Sequence, residues 1–169
     1  MKQTETAKNT DMRRSSLNIR RIFRCMMEDG YYPSYEKTHI LFEMDENIAV
    51  LEYEEDIVSI RLFFSIDEDA YDLFLEASNS TMSKSFMVKP VVLESMDTIM
   101  FCFEAPCRNL REFRRMIKVG IDSLRQTVDI HKSEMRRLIL AEEMVTAMLP
   151  ASEDSATATG RSIKHKMLS

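Results

Sequence analysis

Three histidines, three cysteines and twenty-eight carboxylates are the groups from which this chain would have to assemble catalytic or metal chemistry. His39 lies in an alternating run, His131 in a long helical pattern and His165 near the C-terminus. None has a second histidine, a cysteine or a carboxylate around it that makes up a convincing ligand set. Cys25, Cys102 and Cys107 are odd in number and lack the CxxC spacing of zinc sites, which is the pattern of reduced intracellular thiols. Serines are plentiful, but no G-x-S-x-G turn exposes one. With glycine only at positions 30, 120 and 160, neither G-x-G-x-x-G nor G-x-x-x-x-G-K-[ST] can form, so no glycine-built phosphate cradle is expected. The sequence nominates no catalytic residue, metal ligand, cofactor or small-molecule substrate, and a non-enzymatic protein is the expectation.

The charges are unevenly placed. Between Ile40 and Ser80 carboxylates are dense and Arg61 is the only base. Most of these acids fall in turns, on outer strand faces or at a helix start, where charges sit without special cause. Their functional reading is an acidic face that binds a basic partner or the chain's own basic helix. That helix carries Arg108, Arg111, Arg114, Arg115, Lys118, Arg125, Lys132, Arg136 and Arg137. Arg111, Arg115 and Lys118 form one stripe, but Glu112, Asp122, Asp129 and Glu134 interrupt the run. With a net charge of -5, the whole molecule is no obvious polyanion binder. A nucleic-acid-associated regulator using this helix and the basic residues Arg161, Lys164, His165 and Lys166 is the alternative reading.

The last helical pattern holds the sharper signal. Ile117, Ile121, Leu124, Val128, His131, Met135 and Leu138 are spaced alternately by four and three, a heptad-like seam. The pattern runs from Leu110 to Leu149 without proline and continues apolar through Ile139, Leu140, Met144, Val145 and Met148. Forty residues of helix span about 60 Å, more than one domain of this size can cover. The end must bend, fold back or project. Val128, Met135, Leu138, Ile139 and Val145 are the candidate residues for self-association or for a partner seam. The 14 methionines mostly fall on core patterns, with an adaptable peptide-binding surface as the other use.

The elements that must position these residues follow from period. Ile19, Ile22, Phe23, Met26 and Met27 make one helical stripe, capped by Ser16 and ended at Asp29-Gly30. Tyr31, Tyr32 and Tyr35 around Pro33 are expected to close over one end of the core. Three alternating runs follow: 38–45, 48–54 and 57–66, with turns at Glu46-Asn47 and Glu55-Asp56. Phe63, opposite the apolar set of the third run, suggests that its face is partly covered. Ser65 and Glu68 fit a capping box for a second helix through Tyr71, Phe74 and Leu75. Two more strands, 86–93 and 98–103, precede a second capping box at Asn109 and Glu112. Pro90 either makes the first of these strands an edge or places a bulge in it. Residues 1–15 and 150–169 are polar and aperiodic, an expected disordered arm and tail around one domain over 16–149. The first sixteen residues have no apolar core and no run approaches a membrane span, so a cytoplasmic protein is expected.

The order α-βββ-α-ββ-α predicts an α+β domain with a five-stranded antiparallel sheet packed by helices and a long C-terminal helix. This order resembles the type III secretion chaperone-like fold, shared by class I secretion chaperones and the bacterial YbjN-like proteins. The YbjN-like group is the most similar. The likeness lies in the first helix ending at Asp29-Gly30, the meander from His39 to Ile66, the aspartate-rich start of the second helix and residues 109–113 opening the last. It covers roughly residues 16–138 and is one of pattern, without a diagnostic motif. It implies a small cytoplasmic protein that acts by binding protein, chaperone-like or regulatory, often as a homodimer, and supplies no catalytic residues. The extended last helix and the basic tail depart from the pattern.

Overall fold

The computed structural model describes residues 17–148. The expected arm, the Ser16 cap and the tail lie outside the described residues. In chain order the elements are α1 (Ile19–Glu28), β1 (Ser34–Glu36), β2 (His39–Met44), β3 (Asn47–Glu54), β4 (Ile57–Ser65), α2 (Tyr71–Met82), β5 (Val88–Val92), β6 (Thr98–Pro106) and α3 (Leu110–Met148). A 3-10 turn over Glu68–Ala70 leads into α2.

The strands form one sheet in the order β1-β2-β3-β4-β6-β5, every neighbouring pair antiparallel. It has six strands where five were expected. The extra one, β1, is three residues long and exposed throughout, so it carries no alternation to read. It pairs with β2 through its backbone, Tyr35 opposite Ile40, across a turn at Lys37. Pro90 sits in β5, which is an edge strand, the first of the two expected alternatives.

Alternation gives the sheet one buried face. Ile40 and Phe42 of β2, Ala49 and Leu51 of β3, Val58, Ile60 and Leu62 of β4, and Ile99, Phe101 and Phe103 of β6 are all buried. The three helices cover this face alone: α1 lies over β2, α2 over β5, and α3 over β4, β5 and β6. Gly120 sets the depth of α3. A Cβ there would stand 2.8 Å from Phe103 Cδ1 and 2.9 Å from Ile60 Cδ1, so only glycine lets the helix lie this close to the two central strands.

Local chemistry fixes the ends. Asn18, not Ser16, caps α1, its Oδ1 accepting from the Arg21 N–H at 3.0 Å. Gly30, at φ +83°, closes the helix with Gly30 N–H to Met27 O and Tyr31 N–H to Met26 O. The predicted α3 box forms: Asn109 Oδ1 accepts from the Glu112 N–H, and Glu112 accepts from Asn109 Nδ2 and the Arg108 N–H. The predicted α2 box does not. Ser65 is still paired with Thr98 in the sheet, so the helix starts after Ala70, with no side-chain cap. The first hairpin turn is Asp45-Glu46, one residue earlier than expected. Both it and Glu55-Asp56 hold two positive-φ residues, the primed geometry that matches strand twist. Of the tyrosines, Tyr31 packs edge-on to Phe42 and Tyr35 to Phe23, whereas Tyr32 is 85% exposed and closes nothing.

Candidate protein-binding surface

The 39 residues of α3 make a rod about 58 Å long. Its heptad-like seam is used inside the domain. Ile117, Ile121, Leu124, His131, Met135 and Leu138 are buried among the described residues, and Val128 and Ile139 are half-buried. The helix is continuous from Leu110 to Met148 and does not fold back within the described residues. Past Ile139 it projects, with Leu140, Met144 and Val145 at 59%, 62% and 60% exposure. Of the candidate seam residues, Val145 therefore stands free, while Met135 and Leu138 pack on the chain's own core.

A polar lock holds α3 to α2 before it projects. Ser85 and Thr127 hydroxyls meet at 2.7 Å, and Ser78 Oγ lies 3.3 Å from His131 Nε2. Ser80 donates to Glu134 at 2.7 Å, and Lys84 and Arg137 both pair with the same carboxylate. Those contacts, led by Lys84 and Ser80, hold the Glu134 carboxyl down at about 2. His131 is stacked on Phe74, edge-on to Phe101 and fully enclosed. Burial pushes its pKa down to about 4, so the ring is neutral at pH 7. No single-sequence signal pairs Ser78, Ser80, Lys84 and Ser85 with positions some fifty residues away; only the antiparallel docking of α2 on α3 does so.

Intramolecular pairing uses part of the basic helix. Arg114 holds Asp29 and Glu28 at the end of α1. Arg125 grips Asp45 in the β2–β3 turn through two bonds, of 2.6 and 2.8 Å, which lower the Asp45 carboxyl. Some of the acids thus serve to orient the chain's own basic helix. Arg111, Arg115 and Lys118 face solvent. Beside the Arg125–Asp45 pair is a cleft of about 510 Å³ with Met44, Leu62, Phe64 and Val128 as its apolar side and Asp129 and Lys132 on its rim.

The groups first considered for chemistry stay apart. Cys25 and Cys107 are buried free thiols, pushed up to about 11 by burial. Cys102 is half-buried on the other face of the sheet, 3.8 Å from Ser59 Oγ. Among the described residues no three His, Cys, Asp or Glu side chains gather where an ion would be held. No described helix is long and apolar enough to cross a membrane.

Among the described residues no helix covers the outer sheet face. Phe63, expected on a partly covered face, is 42% exposed, because α1, α2 and α3 all lie on the opposite side. Register places it in an apolar row. Phe63 is opposite Met100, and Met100 is opposite Val91. Ile48, one residue beyond the Ala49–Leu62 pair, lies at its other side. Ile48 and Val91 are 59% and 40% exposed. The next row reads Leu41, Val50, Arg61, Cys102, Lys89.

Neither a family model nor a curated protein sequence matches this chain. The solved structures do. The chain is similar to the crystal structure of YbjN from E. coli, a protein for which a role as a transcription regulator has been suggested, at a TM-score of 0.61 and 7% identity. The match covers 72% of this chain and 94% of that one. The chain therefore has a YbjN-like fold, as the order of its elements implied.

Proposed function

We propose that this chain is a non-enzymatic protein-binding module of the cytoplasm, regulatory or chaperone-like, whose working surface includes the projecting end of α3. One observation carries the reading: Leu140, Met144 and Val145 stand on a fixed helix, each about 60% exposed. Three large apolar side chains held rigidly in water cost solvation free energy that a protein partner recovers. The helix is anchored for the role, since the polar lock on α2 ends a few residues before the exposed stripe. Three free thiols agree with a reducing compartment. The regulatory role suggested for YbjN is compatible with such a module, because regulation by binding needs no catalytic group.

The test is photo-crosslinking in cells from a benzoyl-phenylalanine placed at Met144 of the full chain. Covalent adducts to a protein, whether a second copy or another chain, are expected. Absence of any protein adduct, with the probe expressed and folded, would refute the reading.

A further inference from the structure

We infer that the partner of the α3 end is a second copy of this chain, and that its seat is the outer face of the sheet. The inference rests on the protein-binding reading above and names its occupant.

Among the described residues the fold leaves open two extended apolar surfaces, besides the exposed Phe86 and Met87 ahead of β5, and the two differ in shape. One is a convex helical stripe, Leu140, Met144 and Val145. The other is a flat row of side chains, Ile48, Phe63, Met100 and Val91, across four strands. A helix laid on a sheet face is the standard way to bury both.

Both surfaces lie at the same end of the molecule. Ile48 lies two residues past the Asp45-Glu46 turn, and that turn is bound by Arg125 of α3. From there α3 runs antiparallel to α2, which begins just beyond the end of β4, and passes it into solvent. A chain cannot lay its own α3 end on its own outer face, since the continuous helix leaves from the opposite, helix-covered side. Two copies joined end to end by a two-fold axis can exchange them, each helix end lying on the other's row. The contact is then made twice, so about 800 Å² of total buried surface per contact reaches the ~1,600 Å² of a stable interface.

Charge agrees with this seating. The helix end carries exposed Glu142 and Glu143. In the row beside the apolar one Arg61 is already paired with Glu52, whereas Lys89 is exposed and takes part in no ion pair among the described residues; the one acid in the apolar row, Glu43, lies at its far end beside Ile48, across the sheet from Lys89. Acid on the helix thus meets base on the sheet, which orients the helix along the row.

The experiment uses the purified full chain with benzoyl-phenylalanine at Val145, together with light scattering. A dimer is expected, with crosslinks mapping to β4, β5 or β6 outer-face residues near Phe63. Phe63→Glu and Met144→Glu should each weaken dimerisation by at least about thirtyfold, while leaving circular dichroism and the melting midpoint near those of the parent. Ile48→Glu, at a strand end, repeats the test should Phe63→Glu disturb the strand. A monomer at all concentrations, or a dimer crosslinked helix to helix, overturns the inference. If the purified chain is monomeric but the Met144 probe captures another protein in cells, this inference fails and the protein-binding reading stands. If neither probe captures protein, both fail.

Discussion

Gly120→Ala opposes two effects of known size at one atom, and the structure decides the sign. In an exposed helix interior the change gains about 1 kcal/mol, because alanine loses less backbone freedom on folding. At position 120 the new methyl would stand 2.8 Å from Phe103 Cδ1 and 2.9 Å from Ile60 Cδ1. Both partners are fully buried and paired with each other on adjacent strands. Relief to an ordinary contact needs α3 to rise from the sheet by several tenths of an ångström, and α3 packs on β4, β5, β6, α1 and α2 together. Overpacking of this kind costs about 1–3 kcal/mol. The expected net loss is about 1 kcal/mol, rising to about 3 for Gly120→Val, read from urea unfolding at constant m-value. Ser133→Ala, on the exposed side of the same helix, is the internal control and should gain a few tenths of a kcal/mol. If Gly120→Ala proves as stabilising as the control, α3 does not lie at this depth, and the argument from close approach is wrong.

Four further predictions concern other parts of the molecule. His131 has its folded pKa lowered from 6.5 to about 4, so the unfolded chain binds the extra proton first. Stability from this group is full above pH 6.5 and declines as pH falls to about 4, by about 3 kcal/mol in all. His131→Phe should flatten the denaturation profile in that window. Glu134, lowered from 4.5 to about 2, acts in a separate window: its stabilisation is present above pH 4.5 and is lost as pH falls towards 2, a slope that Glu134→Gln should remove. Glu46→Gly places glycine at a φ of +65° in the primed turn and should stabilise by about 0.5–1 kcal/mol, measured by thermal melting; a loss would mean that the turn is not of this type. In native protein a thiol reagent should modify Cys102 first, with Cys25 and Cys107 reacting only on unfolding; equal rates for all three would contradict their burial.

What could be read from the sequence was whatever depends on period and on contacts close in the chain. The alternation in β2, β3 and β4 and the capping of α3 by Asn109 and Glu112 follow local rules, and so they were legible. Strand β1 was not, because a three-residue exposed strand is held by backbone pairing, which side chains do not encode. The Ser65–Glu68 box misled because a capping box and a strand end compete for the same serine, and pairing with Thr98 won. The heptad-like seam was read correctly as apolar, but spacing does not say which surface an apolar stripe meets. Here most of it meets the sheet and α2, leaving the last turns outside. The outer row of Ile48, Phe63, Met100 and Val91 joins four strands, two of them far apart in sequence, and appears only once register is known.

The span of α3 also orders events during synthesis. It is the one helix that touches α1 and α2 and lies over β4, β5 and β6, yet it is made after every strand it covers. Until it emerges, Phe101, Phe103 and Ile60 form an uncovered apolar floor. The nascent chain therefore carries a sheet whose inner face is covered only over β2 and β5, by α1 and α2, the form of the protein most exposed to aggregation and to holdase chaperones. Its folding is completed from the C-terminal side, when Gly120 passes over the centre of the sheet and the rod closes it.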